Sequence, residues 1–140
     1  MTALTPFTVE WAEALRLTID SDPDYHRAGS GWKWPIALVL NATPALGFAA
    51  DVVVELTLNG GSCTAARIIT ASEIAAPFVL SADYDVWKEL AQGTLDPLLA
   101  LTSRRITLTG SLPKLLFHAK AVRALVACAR RVPTKFPDDV

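Results

Sequence analysis

The 140-residue chain is 51% hydrophobic and 19% charged, richer in the first and poorer in the second than an average domain, and its length suits one domain able to bury roughly two-thirds of its unfolded surface. Its net charge is −1, and its basic residues lack the interleaved aromatics of a nucleic-acid binder, so no nucleic-acid partner is expected. Cys63 and Cys128, the two cysteines, have no partner spacing for zinc or for a redox pair, which predicts reduced thiols in a cytoplasmic protein.

The start, Met1-Thr2-Ala3-Leu4-Thr5-Pro6, lacks the basic and apolar regions of a secretion signal. The longest uncharged run, Trp34 to Ala50, is interrupted by Pro35, Asn41, Pro44 and Gly47 and is too short to span a bilayer. A large core, a homodimer interface or a lined lipid cavity would each absorb the apolar surplus. Charge divides unevenly: through Ser103 there are 5 Lys and Arg against 12 Asp and Glu, and from Arg104 onward 8 against 2, so the parts carry −7 and +6. A basic last helix lying on acidic loops explains this most simply; transient attraction to an anionic membrane surface or ligand is the sharper alternative.

In chain order, Thr5-Pro6 reads as a helix start, and Phe7, Trp11, Leu15 and Ile19 form one apolar stripe. Ser21-Asp22-Pro23-Asp24 ends that helix and caps a short second one, so lead-in helices are expected over 6–28 and a sheet over 33–81. Trp34, Ile36, Leu38 and Leu40 alternate with Ala37 and Val39, and Pro35 suggests an edge position or a bulge. The run 51–59 is the clearest strand. Asn59-Gly60-Gly61 then signals a hairpin to a strand over 62–70, and a short strand follows at 77–80. Ser81 or Asp83 caps a helix stopped by Gly93, and Asp96-Pro97 starts another, giving helices over 83–101. Arg104 to Thr109 alternates as a final strand. From Ser111, Leu112, Leu115, Leu116, Ala119, Val122, Val126 and Ala129 recur at three and four, predicting one long helix over 112–130. The expected domain spans 1–131, and the tail 132–140, with Pro133 and Pro137, is a strap or a loose end that only Phe136 can anchor.

No phosphate-cradling loop, dinucleotide fingerprint, nucleophile elbow or paired zinc histidines occurs. His26 has no accompanying nucleophile and reads as a loop histidine; His118 reads as a helix-boundary residue. Asp22 and Asp24 lack the glycine and glutamate of a calcium loop, and Asp83 and Asp85 stand where helix caps belong. Arg67 on its strand reads as a solvent-facing cation rather than a head-group ligand. These residues predict no enzyme, no metal and no cofactor.

Trp87-Lys88-Glu89-Leu90, the turn Gly93-Thr94-Leu95-Asp96-Pro97, and the strand 105–109 closing on Gly110 before an apolar helix together resemble the sterol carrier protein family, type two. The resemblance extends over about 7–126, with its specific residues in 83–117. It implies an α+β fold: a five-stranded mixed, mainly antiparallel sheet with helices packed on one face, enclosing a tunnel that holds a sterol, fatty acid or related lipid unaltered. Trp87, Leu90, Leu99, Ile106, Leu116, Ala119 and Val122 are then the expected tunnel lining. Members often have a glycine before the final strand, where this chain has Thr102-Ser103-Arg104, so the tunnel mouth is the expected point of difference. The competing reading is an accessory or oligomerising domain, partnering an enzyme, whose cavity is empty or collapsed.

Overall fold

A computed structural model describes residues 3–139; Met1, Thr2 and Val140, parts of the expected domain and tail, lie outside the described residues. Helix α1, Val9–Asp20, begins with Thr8, whose hydroxyl accepts the Trp11 N–H. It starts later than Thr5-Pro6 predicts because Phe7 takes φ 60 and turns its ring into the core. Helix α2, Pro23–Ala28, is capped by Asp22 as the turn cluster predicts.

The strands β1 (Ile36–Leu40), β2 (Val52–Asn59), β3 (Ser62–Ile69), β4 (Phe78–Ala82) and β5 (Thr107–Thr109) form one sheet in the order β3-β2-β1-β4-β5. Only β1 and β4 run parallel; the other pairs are antiparallel. The fold is thus α+β with a mixed, mainly antiparallel sheet. Gly60 and Gly61, at φ 62 and 95, make the two-residue turn between β2 and β3, the left-handed pair that such hairpins need. Strand β1 is central, not at an edge. Pro35 is tolerated because ladder pairing begins only at Ile36, so no sheet N–H is missed.

One face of the sheet, including Ile36, Leu40, Val54, Leu56 and Leu58, packs against the helices in the main core. The opposite face buries Ala37, Val39 and Val53 beneath Ile69, Ile74, Ala76 and Val79, covered by the connector that includes a single 3-10 turn, Ala71–Glu73. At the exposed edge of that face Arg67 pairs with its cross-strand partner Glu55 at 2.6 Å.

Helices α3 (Tyr84–Gln92) and α4 (Pro97–Thr102) precede β5, and α5 (Leu112–Phe117) and α6 (Ala119–Arg131) follow it. The expected long helix over 112–130 is therefore broken, at His118. Its ring meets Trp32 edge-on at 5.3 Å, and its φ and ψ of −99 and 35 leave the helical region, a tertiary contact overriding helical periodicity. The expected strand over 104–109 shortens to Thr107–Thr109, because Arg104 takes φ 63 and the N–H groups of Arg105 and Ile106 both donate to the Ala100 carbonyl. After α6 the tail runs back over the helices. Leu4 and Thr134 form a parallel bridge, Phe136 is buried, and Lys88 binds both Asp138 and Asp139 at 2.9 and 2.8 Å.

Candidate functional site: an apolar cavity between helices and sheet

The helix-facing side of the sheet and the cover of α1, α3, α4, α5 and α6 do not close completely. Between them lies a cavity of about 90 Å³. Helix α1 contributes Trp11, Leu15 and Ile19, the stripe legible from four-residue spacing, and the sheet contributes Ile36, Leu38, Leu40, Leu56 and Leu80. Leu115, Val122, Leu125, Val126 and Ala129 line it from α5 and α6, and Phe136 of the tail joins them.

Polar groups at this lining are already engaged. Lys88 is held by the two tail aspartates, and the Tyr84 hydroxyl donates to Asp138. The Thr134 hydroxyl accepts from Trp11 Nε1 at 3.1 Å and donates to the Val132 carbonyl at 2.9 Å. Trp87 spends its indole N–H on the Val39 carbonyl at 2.9 Å. What remains facing the cavity is hydrocarbon, which favours an apolar occupant and offers no poised acid, base or nucleophile.

The two cysteines are poorly suited to act as nucleophiles. Burial pushes the Cys63 thiol up to about 11, and burial with a hydrogen bond to Asp22 pushes Cys128 up to about 12, so both stay protonated and weakly nucleophilic at neutral pH. Asp22 is buried, which alone would raise its pKa. Hydrogen bonds from the Cys128 thiol, the Tyr25 N–H and Arg131 outweigh that cost and hold it below its ordinary value. It is a helix cap and a tether for α6. His26, an exposed residue of α2, bonds the Asp20 carbonyl. Among the described residues no group of three or more His, Cys, Asp or Glu is placed to hold a metal ion.

Of the residues expected to line a tunnel, the fold brings Trp87, Leu90, Ile106 and Val122 together around this cavity. Leu99, Leu116 and Ala119 are elsewhere. Leu99 is 58% exposed on the outside of α4, and Leu116 is 37% exposed, while its neighbour Leu115 is fully buried and faces the space. Adjacent helical residues lie about 100° apart, so only one of the pair Leu115 and Leu116 can point inward, and Leu115 is the one in phase with Val122, Val126 and Ala129. The lining from α1, the sheet and Phe136 went unassigned in the sequence, although the α1 and sheet residues lay in apolar runs and Phe136 was the expected anchor of the tail. Periodicity marks a buried face without saying whether that face meets atoms or a void.

A crystal structure of sterol carrier protein 2 is 35% identical to this chain, with a TM-score of 0.86 over 91% of this chain and 98% of that one. The chain belongs to the sterol carrier protein 2 family. A solution structure from Thermus thermophilus, described as a possible sterol carrier protein, is 33% identical with a TM-score of 0.86, covering 96% of this chain and 94% of that one. UbiJ-SCP2, a ubiquinone synthesis protein, shares only the fold, at 16% identity and a TM-score of 0.50 over 93% and 94%. No family model and no curated protein matches the sequence.

Within the sterol carrier protein 2 fold, the turn before β5 shows why Thr102-Ser103-Arg104 stands out. Arg104 adopts φ 63, a left-handed conformation that costs an L-residue roughly 1–2 kcal/mol and a glycine almost nothing. The turn keeps a glycine-like backbone while carrying an arginine. At the other end of β5, Gly110 is needed sterically: with φ 127, an added Cβ would lie 2.6 Å from the Pro77 carbonyl oxygen.

Proposed function

We propose that this protein binds an apolar small molecule, a lipid or lipid-like compound, and carries it unaltered. One observation supports this most directly: the cavity is lined by hydrocarbon, and the few polar side chains at its wall are satisfied within the protein. Burial of an acyl chain contributes about 0.8 kcal/mol per methylene, so a dry cavity suffices for binding without a catalytic group. Trp87, Leu90, Ile106 and Val122, with Leu115 and Phe136, are the contacts assigned to the ligand. Protonated, buried thiols suit a reducing cytoplasm.

The space of about 90 Å³ is smaller than the apolar cavity of roughly 150 Å³ that admits benzene. A sterol or long acyl chain therefore requires the walls to part. This narrowness also favours a second reading, an accessory domain whose cavity stays empty.

The two readings separate on one experiment. Purified protein is extracted with organic solvent for mass spectrometry, and a fluorescent fatty acid is titrated into the delipidated protein. Co-purifying lipid or saturable binding at one site per chain is expected. Absence of both would leave the accessory reading.

A further inference from the structure

Three of the chain's large exposed apolar residues sit on one six-residue helix, α5: Leu112 and Leu116 are each 37% exposed and Phe117 is 85% exposed. Isolated surface leucines are ordinary, but this concentration is not, and an uncovered phenylalanine gains nothing in water.

The charge around this helix is of one sign. No Asp or Glu occurs between Asp96 and Asp138. Of the cations in that stretch, Arg105, Arg123 and Arg131 reach back to Glu89, Asp96 and Asp22, which accounts for part of the charge division seen in the sequence. Arg104, Lys114 and Lys120 form no ion pair among the described residues. Arg104 and Leu112 face a common groove, Lys114 holds its ammonium 4.2 Å above the Trp34 ring, and Lys120 follows Phe117 by three positions. Apolar side chains able to enter the acyl boundary thus share one segment of the fold with cations that have no acidic partner, a combination suited to lipid phosphates.

Helix α1 offers a contrast within the same molecule. Val9 and Leu17 are exposed at 66% and 54%, but Glu10 is exposed on the same helix and its one cation, Arg16, is paired with Glu13 at 2.6 Å, so α1 offers no unpaired cation to an anionic surface.

We infer that α5, through Phe117, Leu112 and Leu116 with Arg104, Lys114 and Lys120 around them, docks the protein on an anionic lipid bilayer. The adjoining residue of the same helix, Leu115, lines the cavity. Docking would thus act on the cavity wall itself and lead a ligand between bilayer and protein, a consequence that rests on the lipid-carrying reading above.

The test is co-sedimentation with vesicles of phosphatidylcholine alone or mixed with phosphatidylglycerol, at low and high salt. Wild-type protein is expected to partition onto the anionic vesicles at low salt and to be released by high salt. Phe117→Ser should reduce partitioning at least about tenfold, as expected for withdrawing one aromatic side chain from the interface, and Lys120→Glu should reduce it on anionic vesicles. Val9→Ser should leave it unchanged. All three positions are exposed, and denaturation curves confirm that each variant folds. No partitioning at low salt, equal losses for Phe117→Ser and Val9→Ser, or a dimer that Phe117→Ser dissolves would overturn the inference. Vesicle binding by a protein that takes up no lipid would instead defeat the carrier reading, whereas lipid uptake without vesicle binding would defeat this one.

Discussion

Filling the cavity provides the sharpest check on its existence. Ala129 lies on α6 with its Cβ at the cavity wall, and Ala129→Leu adds three carbons, each about the size of the ~30 Å³ that a water occupies. A space of about 90 Å³ has room for such an addition. If the space is real, the new side chain takes up void, and burial at about 0.8 kcal/mol per carbon, less rotamer entropy, stabilises the fold by about 1–2 kcal/mol. If the core were already closed, the same change would overpack it and cost about 1–3 kcal/mol. The two cases therefore differ in sign. Urea denaturation monitored by tryptophan fluorescence gives the stability change, and fatty-acid titration of the same variant should show weakened binding. A lowered midpoint with unchanged slope would refute the cavity, and a raised midpoint with undiminished lipid binding would place the ligand elsewhere.

Leu115→Ala should destabilise the protein by about 2–5 kcal/mol, whereas Leu116→Ala should cost less than about 1 kcal/mol; equal costs in denaturation would contradict the inward placement of Leu115. Arg104→Gly should stabilise by about 0.5–1 kcal/mol, because relief of left-handed strain exceeds the added flexibility of the unfolded chain, and a loss of stability would show that the arginine side chain does more than tolerate the turn. The Asp22 pKa is lower in the folded state than its ordinary 3.8, so its stabilising contribution is present above that value and is lost as pH falls through the lower folded value. Wild-type stability should therefore drop more steeply than that of Asp22→Asn as pH is taken below about 4, and parallel pH profiles would remove Asp22 from the tether of α6.

Much of this protein is written locally in its sequence. Alternation in 52–58 and the Asn59-Gly60-Gly61 turn determine the β2–β3 hairpin, because side-chain direction in a strand and positive φ at glycine are short-range properties. The Asp22 cap, the α1 stripe and the turn around Asp96-Pro97 are local in the same sense, and that turn, with Trp87-Lys88-Glu89-Leu90 and the strand closing on Gly110, carried the family resemblance. Tertiary structure decided the rest. Pro35 leads into the middle of the sheet because β4, more than forty residues later, pairs beside β1. Trp32 meets the ring of His118, where the last helical run breaks into α5 and α6. Lys88 draws the tail across the helices through Asp138 and Asp139. Each of these is a contact between residues distant in the chain, and periodicity carries no record of such contacts. The cavity is their joint product: the sequence supplies apolar faces, and only their packing together leaves space between them.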